Sequence, residues 1–318
     1  MRFGIIGCSR VARRRFLPTL TSSPHASLFF VGSRDMEKAK AYTHEFHAKS
    51  YGSYEEVLAS SDVDAVYIST PPLLHTEWAL KAAHAGKHII VEKPAFPTLA
   101  EARAALAVCK KAGVRLFENY AFLYHPQHKA ARALVPRIGG ITRIRVQYLY
   151  PFPPEGDIRF KPALGGGVFH DSFGYPFALA LHYFGGAPKS VSCTRTFDQG
   201  RGIDTAAAVT LRFPGAKTLE GRVHMGSETY ASEYTLHGPS GSIAVCRAFA
   251  VDADKPAEIV LKIKEDDKRI IVPSASQFQL ALHDFCATVR GERERAFEAD
   301  ILARETMREA AHRVATRK

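Results

Sequence analysis

The sequence predicts two domains: an α/β domain with an N-terminal doubly wound parallel sheet, then an α+β domain built on a large, open, mainly antiparallel sheet. Strand and helix patterns alternate through five strands in about the first 117 residues, the grammar of a parallel sheet wound on both faces. From about residue 141 β-rich segments follow one another, punctuated by turn pairs such as Gly238-Pro239 and Ser240-Gly241. A chain of 318 residues also suits two domains at roughly 150 residues each. The boundary is placed between residues 120 and 121, giving domains 1–120 and 121–318.

The first strand, Phe3 to Ile6, runs into Gly7-Cys8-Ser9-Arg10-Val11-Ala12 and a helix towards Leu20. In a dinucleotide fingerprint the first glycine turns the chain, the second admits the pyrophosphate, and the third position packs helix on strand. Gly7, Ser9 and Ala12 hold those positions here, so Ser9 departs from the pattern, and its hydroxyl can itself donate to a phosphate. The second strand, Ser27 to Val31, ends in Gly32-Ser33-Arg34-Asp35. Ser33 and Arg34, with Lys38 one helical turn on, suit a 2′-phosphate and favour NADP over NAD. Asp35 reads as the cap of the next helix, which is compatible with that role for its neighbours.

The third strand, Asp64 to Ser69, ends at Thr70-Pro71-Pro72 and is followed by a helix from about His75 to Ala85, stopped by Gly86. His88-Ile89-Ile90-Val91 is a buried strand ending in Glu92-Lys93-Pro94. Ligands of open α/β sheets bind beyond the carboxyl ends of the strands, so Lys93 stands at that rim. It reads either as a donor to a substrate oxygen or as half of a strand-end ion pair with Glu92. A helix over about Leu99 to Lys111 and a strand from Val114 to Phe117 complete the series, followed by Glu118-Asn119-Tyr120.

The second part opens with a polar helix, Pro126 to Val135. Strands are expected over Ile141–Tyr150, Lys189–Phe197, Thr205–Phe213, Thr218–Met225, Ser232–His237, Ser242–Cys246, Glu258–Ile263 and Arg269–Val272. Two helices, about Gln277 to Arg290 and Asp300 to Ala315, finish the chain. One helical stretch interrupts the strands: Gly165-Gly166-Gly167 leads into Val168 to Tyr175, and i, i+4 spacing puts Asp171 and Tyr175 on one face. A phenol with an ordinary pKa near ~10 suits protonating a reduced carbonyl, and a nearby ammonium would lower that pKa. The alternative is a core aromatic.

Composition narrows the function classes. Five scattered cysteines without ligand spacing argue for a reducing cytoplasm and against a disulfide frame or a metal site. His125 and His128 lack a third ligand nearby, and His182, among apolar residues, reads as structural. No segment has the length or apolarity of a membrane span, and no nucleic-acid-binding motif is present. The net charge of +11 is dispersed, with local clusters at Arg13-Arg14-Arg15 and near the C-terminus; a phosphorylated cofactor and substrate account for part of it.

Thr70-Pro71 at a strand end, His75 opening a helix, Gly86-Lys87-His88 and Glu92-Lys93-Pro94 together resemble the signature of the Gfo/Idh/MocA oxidoreductases. The resemblance implies a Rossmann domain followed by an open-sheet domain, with a homodimer or homotetramer formed through that sheet. It implies that Lys93 is catalytic and that Thr70, Pro71, His75 and Glu92 serve the nicotinamide half of the cofactor site. Gly7, Cys8, Ser9, Arg10, Val11 and Asn119 join Ser33, Arg34 and Lys38 as cofactor residues. Many members carry Asp and His where this chain has Asp171 and Tyr175, so Tyr175 departs from the polyol dehydrogenase pattern. Patches around Gly7–Arg14, Glu118–Leu123, Asp157–Lys161 and Leu164–Pro176 resemble the nucleotide-sugar 3-ketoreductases of deoxysugar biosynthesis. On that resemblance Tyr120, Arg159, Lys161, Asp171 and Tyr175 are substrate residues, although Arg159 and Lys161 equally suit a surface loop. Other readings remain: a dehydrogenase of a free sugar, cyclic polyol or dihydrodiol, or a non-catalytic dinucleotide-sensing regulator.

Overall fold

The computed structural model describes residues 1–264 and 266–317. They form two compact units, one of Met1–Ala121 with Phe278–Leu302, the other of Phe122–Gln277 with the residues from Ala303 onward. The chain thus returns to its first unit late, which the alternation of strand and helix did not announce.

In the first unit, β1 (Arg2–Ile6), β2 (Ser27–Gly32), β3 (Ser50–Gly52), β4 (Ala65–Ile68), β5 (His88–Val91) and β6 (Leu116–Glu118) make a parallel sheet in the order β3-β2-β1-β4-β5-β6. It has one strand more than expected, because β3 is three residues long, too short to show a period. The order reverses between β1 and β4, the switch point where ligands of such sheets bind. Helices α1 (Leu17–Thr21, after a wide π turn over Ala12–Phe16), α2 (Met36–Phe46), α3 (Tyr54–Ala59), α4 (His75–His84) and α5 (Leu99–Ala112) connect the strands. Their starts are chemically marked: Asp35 caps α2, Ser53 and Glu56 form a capping box on α3, and Thr98 caps α5. The central strands are buried on both faces, and Phe16 stacks on Tyr67 with ring centroids 3.7 Å apart.

Gly86-Lys87-His88 has a structural task here. Lys87 Nζ donates to the carbonyls of Ser60 and Val63, and His88 Nδ1 accepts from the Arg115 backbone. The motif therefore ties together the entries of β4, β5 and β6.

In the second unit, α6 (Pro126–Leu134) precedes β7 (Arg143–Tyr150), and α7 (Val168–Asp171) and α8 (Gly174–Phe184) precede β8 (Ser190–Asp198). Then come β9 (Ile203–Phe213), β10 (Lys217–Met225), β11 (Ala231–Gly238), β12 (Gly241–Val245), β13 (Ala257–Ile263) and β14 (Asp266–Val272). The chain ends with α9 (Gln277–Val289), α10 (Phe297–Val314) and β15 (Ala315–Arg317). The sheet order is β14-β13-β12-β11-β7-β10-β9-β8-β15, antiparallel except where β7 meets β10 and β8 meets β15. The expected strands lie where these are found. The last helix stops one residue short of its expected end, and β15 follows it.

The helix expected over Val168 to Tyr175 is two helices. Ser172, at φ −127° and ψ −8°, ends α7, and α8 begins at Gly174. Asp171 and Tyr175 therefore do not share one continuous helical face. The i, i+4 pattern was present, but the Ser-Phe-Gly sequence between them breaks the ladder. Pro176 on α8 packs against Gly221 of β10, where a Cβ would come within 2.6 Å of the proline ring.

Candidate active site

The first unit gathers its residues at the switch point. Gly7 turns at φ +103°, and a Cβ there would lie 3.1 Å from the Ser69–Thr70 backbone, so only glycine fits. Ser69 Oγ donates to the Gly7 carbonyl over 2.8 Å and locks the turn to the end of β4. Ser9 Oγ accepts from Ala12 N, which leaves its own O–H to donate elsewhere. The Cys8 thiol is buried, and that burial raises its pKa to about 11, so it stays protonated and inert. Arg10 is exposed and Val11 half-buried at the helix entrance. At the end of β2, Ser33 is buried with its hydroxyl accepting from Asp35 N, while Arg34 and Lys38 are exposed. Beside this turn lies a cavity of about 690 Å³ lined by Arg10, Arg13, Arg14, Lys38, Ala41, Tyr42 and Glu45. A glycine turn, a donor hydroxyl and a basic hollow suit a phosphorylated dinucleotide.

The loop carrying Lys93 is held from several sides. His75 is buried, with Nδ1 2.8 Å from the Pro94 carbonyl and Nε2 2.8 Å from the Thr70 carbonyl. Burial lowers the pKa of this ring, while the two carbonyls pull against that shift. Glu118 accepts from Ala95 N over 2.8 Å. The Lys93–Pro94 peptide is cis. Glu92 is buried and its Oε1 accepts from the Tyr67 hydroxyl and from Asn119 Nδ2, each at 2.6 Å. Burial raises the Glu92 pKa, and those two donors oppose it. Lys93 is half-buried at the rim. Pro71 starts the short turn before α4, and Thr70 Oγ1 is buried with no hydrogen-bond partner among the described residues. A buried hydroxyl without a partner at this rim suits a polar ligand group. Tyr120 is buried just after Asn119.

Tyr67 and Glu118 were not foreseen. Tyr67 lies inside an apolar strand and reads as core, and nothing in the sequence shows that its hydroxyl meets Glu92.

In the second unit, Asp171 Oδ2 accepts from Arg159 Nε at 2.8 Å and from the Tyr150 hydroxyl at 3.2 Å. Arg159 also pairs with Asp157 at 3.2 Å, and the Asp171 carboxylate raises its already high pKa. Arg159 is thus a partner of Asp171 and not a loose surface residue, whereas Lys161 is exposed. Burial, followed by the Asp171 charge, raises the Tyr150 pKa well above its ordinary value. Tyr175 stacks on Phe249 (centroids 4.4 Å, 25°), with Phe122 and Tyr148 edge-on at 5.6 and 5.0 Å. Its ring stands in an aromatic box that fixes its plane. Tyr150 was also missed, though the alternation Tyr148, Leu149, Tyr150 put both tyrosines on one face of β7. His128 Nδ1 meets the Tyr234 hydroxyl at 2.9 Å, and Tyr234 meets Tyr183 at 2.7 Å, a buried polar network inside the unit.

A glycine-turned, basic switch point with a lysine held at the strand rim defines a dinucleotide-binding oxidoreductase domain, joined in this chain to an open-sheet domain. Residues 1–120 match the oxidoreductase family with an NAD-binding Rossmann fold, and residues 128–244 match the GFO/IDH/MocA C-terminal domain. The chain is 30% identical to the dTDP-3,4-didehydro-2,6-dideoxy-alpha-D-glucose 3-reductase of Actinomadura kijaniata, covering 98% of this chain and 94% of that protein. It is 32% identical to the enzyme of the same name from Saccharopolyspora spinosa, covering 91% and 88%. The crystal structure of a 3-ketoreductase from Actinomadura kijaniata with NADP and TDP-benzene superposes with a TM-score of 0.96 at 29% identity, covering 100% and 98%. The chain belongs to the Gfo/Idh/MocA oxidoreductase family.

Proposed function

We propose that this protein is an NADP(H)-dependent reductase of a 3-keto sugar carried on a nucleoside diphosphate, with Lys93 and Tyr175 as its proton-handling pair. The observation that carries the reading is the near full-length likeness to sugar 3-reductases, one solved with NADP and a TDP analogue. The basic cavity and the Gly7 turn in this chain agree with it. Gly7, Cys8, Ser9, Arg10 and Val11 would hold the pyrophosphate, Ser33, Arg34 and Lys38 the 2′-phosphate, and Thr70, Pro71, His75, Glu92 and Asn119 the nicotinamide side. When bound there, NADPH would supply the hydride that reduces the keto carbon. The phenol of Tyr175 gives its proton to the carbonyl oxygen as the C–O⁻ charge develops, and the Lys93 ammonium stabilises that charge. Asp171, held in place by its ion pair with Arg159, accepts from a neighbouring sugar hydroxyl, while Tyr120 and Lys161 contact other parts of the substrate. The large sheet of the second unit would pair subunits into a dimer or tetramer.

The test is a substrate panel followed by loss of NADPH absorbance. A dTDP- or UDP-linked 3-keto sugar should be reduced, with NADH a poor donor. Turnover confined to free sugars, polyols or dihydrodiols would replace this reading with the dehydrogenase alternative. Tight dinucleotide binding with no turnover of any of them would favour a sensing role.

A further inference from the structure

The run Arg13-Arg14-Arg15 has been given no role of its own so far, yet two of its members line the basic cavity. That cavity sets Arg10, Arg13, Arg14 and Lys38 against a single carboxylate, Glu45. Tyr42, buried in its wall, donates to the Cys8 and Ser9 carbonyls at 3.3 Å each, so the cavity shares a wall with the Gly7 turn. Lys38 brings it to the first turn of α2, three residues after Asp35, the cap of that helix. The hollow therefore shares a wall with the Gly7 turn and takes in Lys38, one of the three residues expected at the 2′-phosphate. Arg13 Nε pairs with Glu45 Oε1 at 2.9 Å, and both side chains are largely exposed (57% and 37%). Such a pair contributes little on its own. A phosphate dianion, with more charge and more acceptor oxygens, is the stronger partner for a guanidinium.

We infer that Arg13 and Arg14 extend the 2′-phosphate receptor onto the helix after β1. Glu45 is the counter-ion that holds Arg13 in the cavity wall and gives it up when the phosphate enters. This rests on the NADP(H) reading and goes beyond it by naming residues outside the strand end that set the choice between NADPH and NADH.

Fluorescence titration with NADPH, NADH and 2′,5′-ADP, without substrate, tests it. Arg13→Gln should weaken NADPH and 2′,5′-ADP about tenfold and leave NADH unchanged, and Arg13→Gln/Arg14→Gln should nearly abolish the preference. Glu45→Gln should tighten NADPH a few-fold with NADH unmoved. The inference is overturned if these variants keep the wild-type NADPH-to-NADH ratio while Lys38→Gln collapses it. If the wild-type protein itself binds NADPH and NADH equally, the underlying NADP(H) reading fails and takes this inference with it.

Discussion

Tyr67 and Glu92 meet in the floor below Lys93, and their chemistry has a measurable sign. Burial raises the Glu92 pKa in the folded protein, and the Tyr67 hydroxyl opposes that rise. A carboxyl with a raised folded pKa lends its full stability below the unfolded carboxylate range and loses it as pH rises through the folded value. Tyr67→Phe removes a lowering influence, so its stability deficit should grow with pH. We expect about 1–3 kcal/mol at neutral pH from the lost buried donor, and less near pH ~4.5. Urea unfolding at both values checks this, and an equal deficit at the two would sink it. Lys93→Ala is expected to lower turnover by roughly 10²–10⁴-fold with NADPH affinity kept, and Tyr175→Phe by a similar order. Stopped-flow reduction with a separate cofactor titration reads both. A Lys93→Ala enzyme at wild-type rate would remove this lysine from the chemistry.

The short helix α7 owes its position to two glycines, Gly166 and Gly167, that the sequence offered only as part of a motif. Gly167 turns at φ +91°, and a Cβ there would fall 2.1 Å from Asp204 Oδ1. Gly166 lies against the backbone of Arg159 and Lys161, with a Cβ contact of 2.7 Å to the Arg159 carbonyl. Asp204 accepts from Phe169 N at the start of α7 and pairs with Arg195 at 3.1 Å. The glycine run thus lets β9 and the Asp157–Lys161 loop approach the helix that carries Asp171. Asp204→Ala leaves Arg195, which is only 11% exposed, without its carboxylate. The expected cost is about 3 kcal/mol, with sugar turnover falling further than the folded fraction and NADPH binding unchanged. Chemical denaturation with activity per folded molecule checks it; a loss explained by unfolding alone would make Asp204 merely structural. Such elements mark the limit of sequence reading. Strands with a clear period of two, such as β7 and β10, were legible, as were the Gly7 turn and the Glu92-Lys93-Pro94 rim. Asp204, Tyr67 and Phe249 were not, because each acts across a long sequence separation and carries no local signal.

The first unit has a discontinuous core. Phe285 of α9 lies 6.3 Å, between ring centroids, from both Phe3 and Phe117, and Phe297 lies 4.9 Å from Phe117. Arg115 pairs with Glu298 at 2.9 Å. A fragment ending at Ala121 should therefore expose these aromatic rings and bind a hydrophobic dye. Supplying residues 278–302 as a peptide should suppress that binding. A fragment that stays monomeric and dye-silent alone would show the late segment to be dispensable. During translation the opening 121 residues leave the ribosome without the strip that closes their core. Another 181 residues, from 122 to 302, must be made before it is complete. At the usual pace of synthesis that is a wait of about 10–35 s with the apolar faces of the first unit still uncovered.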